Sequence, residues 1–235
     1  MRVIIAAAGP QAKWGDYLGV RNHFAPARAF LGADMVLPLI ELTLMQAVFW
    51  SDDVWLTAPA DEPGPYAGFA QAYGVHTHIA PAGARNEFES TRPVWAPDRT
   101  NVLLLGDVWW TPSALARVFM QAATDGGFRF YGRETASRVT GCPYGEIFAQ
   151  SWTGSAEMSR LTDTVRRDQD SGRADRTKHG WTMLRMLQGT PLREHLVRPP
   201  WWVEIDDATD DIDTPVDYRR HPATRGLHKG GSRCA

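Results

Sequence analysis

The run Val102-Leu103-Leu104-Leu105, ending abruptly in Gly106-Asp107, constrains the fold of this chain more than any other stretch. Successive apolar residues cannot alternate between core and solvent, so a strand over Asn101–Leu105 must lie in a sheet covered on both faces. A carboxylate leaving such a strand is held rigidly at the sheet edge. A second run, Val3–Ala8, stops at Gly9-Pro10 and leads into Lys13-Trp14-Gly15. There the small Ala side chains and Gly9 let backbone N–H groups approach phosphate oxygens, and Lys13 adds a positive charge, a local design able to hold a nucleoside triphosphate.

Between these strands the periodicity switches repeatedly. Helices are expected over Pro38–Trp50, Pro65–Tyr73, Asn86–Trp95, Pro112–Thr124, Ser155–Arg167 and Lys178–Leu187. Pro38 suits a first turn, with Leu39, Leu42, Met45, Ala47 and Phe49 on the buried face, and Thr111 suits the N-cap before Pro112. Further strands are expected over Val54–Ala58, Val75–Ile79, Phe128–Tyr131, Glu146–Gln150 and Trp201–Ile205. Strands separated by helices of this size predict βαβ crossovers and an α/β fold with a mostly parallel central sheet, whose ligands gather at the carboxyl ends of the strands.

At 235 residues, 43% hydrophobic and 22% charged, the chain suits one large domain, expected over residues 1–220. Residues 221–235, with Arg225, Lys229 and Arg233 among Gly, Ser and Pro, read as a solvated, flexible tail. No apolar run is long enough to span a bilayer, and Gly9-Pro10 breaks the first run before it could form a signal-peptide core, so a cytoplasmic location is the default. The formal charge of −2 gives nucleic acid or an anionic membrane no general electrostatic attraction. Two cysteines, Cys142 and Cys234, support neither a disulfide framework nor a zinc site. His76 and His78 share one face of their strand but lack a third ligand.

Asp107 is well placed to bind Mg²⁺, which takes oxygen ligands and needs one or two carboxylates beside substrate phosphates. It could instead cap the turn before the next helix. A second carboxylate would come from the acidic stretch Glu204–Pro215, which offers several candidates and which, as a mere charge run, would be a solvated loop. The ten tryptophans, including Trp109-Trp110 and Trp201-Trp202, are mostly core or pocket wall, although one beside Asp107 could stack on a base or sugar ring.

Four segments in order, Ala7-Ala8-Gly9 with Lys13-Trp14-Gly15, Pro38-Leu39-Ile40-Glu41-Leu42-Thr43, Leu104-Leu105-Gly106-Asp107-Val108 and Asp211-Ile212-Asp213-Thr214-Pro215-Val216-Asp217-Tyr218, together resemble the GT-A-like (MobA-like) nucleotidyltransferase superfamily. The resemblance spans roughly residues 2 to 220. It implies a Rossmann-like three-layer sandwich with a mostly parallel, mixed central sheet. It also implies a Mg²⁺-dependent enzyme that joins a nucleoside triphosphate to a phosphorylated small molecule, such as a sugar phosphate, and releases pyrophosphate. By the same resemblance Asp107 and Asp213 bind the metal. Ala7, Ala8, Gly9, Lys13, Gly83, Asn86, Glu89, Ser90 and Gly106 surround the nucleotide, and Tyr144 and Glu146, in the segment Thr140–Glu146, face the acceptor. A monomer or homodimer is expected.

Where the superfamily carries a phosphate-binding lysine after the first loop, this chain has Asn22, so Arg21 or Arg28 is expected to supply the missing charge, with Arg21 counted among the catalytic residues. Two alternatives stand beside the main reading. One is a glycosyltransferase using a nucleotide-sugar, although Asp107-Val108-Trp109 supplies only the first acid of a DxD motif. The other is a nucleotide-binding protein with impaired catalysis.

Overall fold

Val102 and Leu104 are buried on one side of the central sheet and Leu103 on the other, each fully shielded from solvent. The same division runs through the first strand, where Val3 and Ile5 join one cluster and Ile4 the other. Burying one such side chain is worth about 1.5–3 kcal/mol. The three-layer arrangement therefore follows from two short runs that have no polar face to offer water.

The computed structural model describes residues 1–124 and 126–227. Its elements are β1 (Arg2–Ala6), β2 (Pro26–Arg28), β3 (Val36–Pro38), α1 (Leu39–Trp50), β4 (Val54–Ala58), α2 (Pro63–Tyr73), β5 (His76–Ile79), α3 (Glu87–Thr91), β6 (Thr100–Leu105), β7 (Val108–Trp109), α4 (Pro112–Thr124), β8 (Arg129–Arg133), β9 (Glu146–Thr153), α5 (Ala156–Asp170), α6 (His179–Gln188), β10 (Trp202–Glu204), β11 (Asp210–Asp211) and α7 (Pro215–Arg220). Seven strands form one sheet in the order β10-β8-β9-β6-β1-β4-β5. Only β9 runs antiparallel to its neighbours, β6 and β8. Residues 134–145 contain no helix, so the chain returns from β8 directly into β9 instead of crossing over.

One face is packed by residues of α1, α2 and α4, the other by residues of α3, α5 and α6. A third cluster joins Trp14, Leu39, Leu42, Trp109, Ile212 and Tyr218, and fixes the first loop to the late acidic segment. No helix among the described residues is long and apolar enough to cross a membrane.

The structure corrects several expectations. Strand β1 ends at Ala6, two residues early. Pro38 closes β3 and stands just before α1. On α1 the buried residues include Ile40, Thr43 and Leu44, whereas Met45 is exposed and Phe49 is 81% exposed; the helix is apolar nearly all round, so its periodicity could not select a face. The helix expected over Asn86–Trp95 divides into α3 and a 3₁₀ turn at Arg92–Val94, because Pro93 lacks the N–H that would continue it. The start of the expected tail is packed: His221, Ala223 and Thr224 are buried, and His221 Nε2 lies 2.8 Å from the Ala208 carbonyl. Residues 228–235 of that tail lie outside the described residues.

Candidate active site

Gly106 brings the carboxyl ends of β1 and β6 together. Its N–H donates to the Ala6 carbonyl at 2.9 Å. A Cβ at this position would stand 2.9 Å from that oxygen and 3.0 Å from the Ala7 Cβ. Glycine is therefore what lets the chain leave β6 so close to β1, and Asp107 emerges beside the Gly9 loop.

Asp213 reaches Asp107 through a short ribbon. Strands β7 and β11 pair antiparallel, Asp211 opposite Val108 and Asp210 opposite Trp109, and the Ile212 N–H donates to the Asp107 carbonyl at 2.9 Å. Past Asp213 the chain is fixed again by a capping box on α7. Thr214 Oγ1 accepts from the N–H groups of Val216 and Asp217, at 3.2 Å each, and Asp217 Oδ2 accepts from the Thr214 N–H at 2.9 Å. Held between these anchors, the Asp213 carboxyl lies beside Asp107, close enough to raise its pKa, and accepts from Lys13 Nζ at 2.5 Å. The buried Asn22 side chain ties the arrangement together, with Nδ2 donating to Asp107 Oδ2 at 3.4 Å and to the Ile212 carbonyl at 3.2 Å.

Two further carboxyls, Asp211 and Glu146, belong to the same cluster. Burial, then the charge and hydrogen bond of Asp213, raise the Asp107 pKa well above the usual carboxylate range. Asp211 is raised well above it too, by burial and then by Glu146, Asp213, Asp210 and Asp107. Glu146 is pushed up to about 8 by burial and the Asp213 charge. Burial pulls Lys13 down, but its bond to Asp213 and the charges of Asp213, Asp211 and Glu146 outweigh that and leave it raised. Lys13 faces Asp213, Asp211 and Glu146, and Asp107 beside Asp213 offers the carboxylate oxygens that a hard dication favours. Asp107 and Asp213 would hold it, with Asp211 and Glu146 beside them.

These groups open onto a cleft of about 1600 Å³ at the carboxyl edge of the sheet. Ala8, Gly9, Lys13, Gly83, Asn86, Ser90, Asp107, Tyr144, Glu146 and Asp213 line it, so most residues singled out in the sequence converge there. Four do not line it. Ala7 is fully buried, its N–H donating to Thr57 Oγ1 at 3.2 Å. Gly106 serves the close approach of β1 and β6. Glu89 Oε2 accepts from Arg166 and from the Arg85 N–H, both at 3.0 Å, and so braces the loop from behind. Arg21 is paired with Glu62 at 2.9 Å and Asp61 at 3.1 Å. Arg28 donates to the carbonyls of Ala223 and Arg225, whereas Arg21, besides its ion pairs, reaches the Gly9 loop, its Nη1 donating to the Gly9 carbonyl at 3.5 Å.

The tryptophans beside Asp107 are core residues, as most of the ten were expected to be, and do not stack into the cleft. Trp109 and Trp110 are buried, and Trp109 Nε1 donates to the Arg28 carbonyl at 2.8 Å. Trp181, on α6, lines the cleft instead, as do Asp211, Glu87, Gln150 and Arg185. None of these carried a local signal, since each lies within an ordinary helix, strand or charge run.

A buried ion pair supports the acidic cluster from below. Arg133 Nη2 lies 3.0 Å from Asp210 Oδ1, both side chains almost wholly buried. The same arginine donates to the Thr135 carbonyl at 3.0 Å and the Tyr144 carbonyl at 3.3 Å. Asp210 also accepts from Thr140 Oγ1. Cys142 stands near Asp210 and Asp211, with ligand atoms within 4.8 Å, but Asp210 is already engaged by Arg133 and Thr140.

No family model and no curated protein matches this sequence. Solved structures match it along nearly its full length. A Bacillus anthracis protein assigned as a glucose-1-phosphate thymidylyltransferase superposes with a TM-score of 0.62 at 13% identity, covering 100% of this chain and 98% of that one. The CTP:phosphocholine cytidylyltransferase of Streptococcus pneumoniae gives 0.57 at 13% identity, over 93% and 96% of the two chains. The inositol-1-phosphate CTP transferase of T. maritima gives 0.57 at 13% identity, over 99% and 98%. The mixed seven-stranded sheet flanked by helices is thus the Rossmann-like fold of these nucleotidyltransferases.

Proposed function

We propose that this chain is a Mg²⁺-dependent nucleotidyltransferase that joins a nucleoside triphosphate to a phosphorylated small molecule and releases pyrophosphate. The observation that carries the reading is the Asp107–Asp213 carboxyl pair, side by side in the cleft with Lys13 donating to Asp213. The fold shared with glucose-1-phosphate thymidylyl and phosphocholine cytidylyl transferases supports it.

In this reading the backbone of Ala8 and Gly9 faces the triphosphate, and the Lys13 ammonium steadies its β and γ phosphates. A bound Mg²⁺, held by Asp107 and Asp213, would supply charge neutralisation at the phosphates. An oxygen of the acceptor phosphate attacks the α-phosphorus in line. The new P–O bond forms as the bond to the β-phosphate oxygen breaks, and pyrophosphate leaves with that electron pair. The acceptor phosphate is already a competent nucleophile, so positioning and electrostatics suffice without a strong general base. Tyr144 and Glu146 orient the acceptor. Neutralisation within the chain falls to Lys13, with Arg21 a second cation against the Gly9 loop, since Arg28 is bound elsewhere. A nucleotide-sugar glycosyltransferase is less well supported, because Val108 and Trp109 are buried and place no second acid after Asp107.

The test is pyrophosphate release from the four ribonucleoside triphosphates and dTTP with Mg²⁺ and a panel of phosphorylated acceptors. Asp107→Asn and Asp213→Asn are each expected to abolish release while keeping the wild-type circular dichroism spectrum. Full activity in both variants would overturn the metal assignment.

A further inference from the structure

The end of the cleft formed by α6 brings cations to the lining, beside the acids Glu87 and Asp175. Lys178, Trp181 and Arg185 follow one another at i, i+3 and i+7, and all three line the cleft. Arg185 is only 5% exposed. One of its Nη atoms donates to the Leu192 carbonyl at 2.8 Å, while its Nε is buried without a hydrogen-bond partner. Burial draws its pKa down, and Asp175 is the one charge shown to oppose this. A buried guanidinium with an unmet donor and no paired carboxylate is costly to keep unless something else satisfies it.

Gln150 on β9 has the complementary deficit. It is 2% exposed, and its Oε1 has no partner. Its Nε2 lies 3.5 Å from where a Cβ on Gly180 would stand, so β9 packs closely on the first turn of α6. From Gly180 to Arg185 is about 7.5 Å along the helix. One cleft therefore holds a buried cationic donor and a buried acceptor, both unmet.

We propose that this end of the cleft is a subsite for a second anionic group, a carboxylate or a phosphate, on the acceptor molecule, bound by Arg185, with a hydroxyl of the same molecule donating to Gln150. The inference rests on the transferase reading and narrows it to hydroxylated phosphates with two anionic ends, such as a sugar-acid phosphate or a bisphosphate. The reacting phosphate belongs at the Lys13 end, so Arg185 must serve a different group.

The first test uses crystals of the full chain soaked in selenate. An anomalous peak within hydrogen-bonding distance of Arg185 supports the subsite, and peaks confined to Lys13, or none at all, overturn it. The second is calorimetric titration with glucose 1-phosphate, glucuronic acid 1-phosphate and glucose 1,6-bisphosphate. At least one doubly anionic compound is expected to bind tenfold or more tightly than glucose 1-phosphate, and which one does so distinguishes carboxylate from phosphate. The advantage is expected to vanish in Arg185→Gln and to survive in part in Arg185→Lys, which also decides the matter if the glutamine variant does not fold. Equal affinities, or an advantage unchanged in both variants, overturn the proposal. Neither readout needs turnover. Absence of pyrophosphate release with every triphosphate would count against the transferase reading and leave the anion site standing.

Discussion

The Asn22 side-chain amide bridges the two halves of the acidic site, donating to the Asp107 carboxylate at 3.4 Å and to the carbonyl of Ile212, next to Asp213, at 3.2 Å. A residue only 22 positions into the chain is, in the fold, a clamp between segments 85 and 190 positions away. Asn22→Ala is expected to lower stability by about 1–3 kcal/mol, the cost of leaving buried acceptors unmet. Asn22→Asp should cost more, since it adds another acid beside Asp107. Urea unfolding curves check both, and an alanine variant as stable as wild type would remove the clamp.

The mutual repulsion of Asp107, Asp211, Asp213 and Glu146 makes a prediction about the metal-free protein. Asp213→Asn removes one charge from a crowded set and gives up only the exposed ion pair to Lys13, so its melting temperature without divalent ions should equal or exceed that of wild type. Added Mg²⁺ should then stabilise wild type and leave the variant unmoved, because binding only to the folded state raises its stability. Thermal unfolding scans with and without 5–10 mM Mg²⁺, roughly a saturating excess, read both effects. A Mg²⁺ shift retained in Asp213→Asn and in Asp107→Asn would place the ion elsewhere.

Arg133 and Asp210 form an ion pair almost wholly out of solvent, and the same arginine holds the carbonyls before Glu146. Asp210→Asn leaves the guanidinium buried and uncompensated, at a cost of about 3–5 kcal/mol. The loss should be larger than that of Asp61→Asn, whose partner Arg21 also has Glu62 and whose own side chain is exposed. Comparison of the two variants by chemical denaturation checks the ranking.

His23 is buried against Tyr66, its Nδ1 2.8 Å from the phenolic oxygen. Burial, reinforced by the Arg21 charge, lowers its pKa to about 3. The unfolded chain therefore takes up a proton near pH 6.5 that the folded chain refuses. Stability contributed by the neutral ring is fully present above pH 6.5 and is lost as pH falls from there toward 3. The slope is about 1.4 kcal/mol per pH unit for this one group. His23→Gln should show a shallower loss between pH 6.5 and 4 in urea titrations at successive pH values. An unchanged slope would mean that the ring is protonated in the folded protein.

Much of the fold was legible because its signals are local. The two apolar runs ending in Gly9 and Gly106 require burial on both faces, and the helices α2, α4, α5 and α6 begin and end within a few residues of where their periodicity and caps place them. The faces of α1 were not legible, since a helix apolar on nearly every side has no preferred direction until its neighbours are in place. The two-residue strands β7 and β11 were invisible for a related reason: neither has a pattern of its own, and each exists only as the other's partner.

The sequence by itself determined the sheet, its carboxyl edge, and the arrival there of Lys13 and Asp107, because chain geometry and hydrophobic burial decide these within a few residues. Tertiary structure alone decided how Asp213, which the sequence offered only by resemblance, is brought beside Asp107, that Arg28 turns away, and that Asn22 clamps the two segments. It also decided that Arg185 and Gln150 share the cleft. Those outcomes depend on pairings between residues tens to hundreds of positions apart, and hydrogen bonds, ion pairs and desolvation act on spatial neighbours, whatever their separation along the chain.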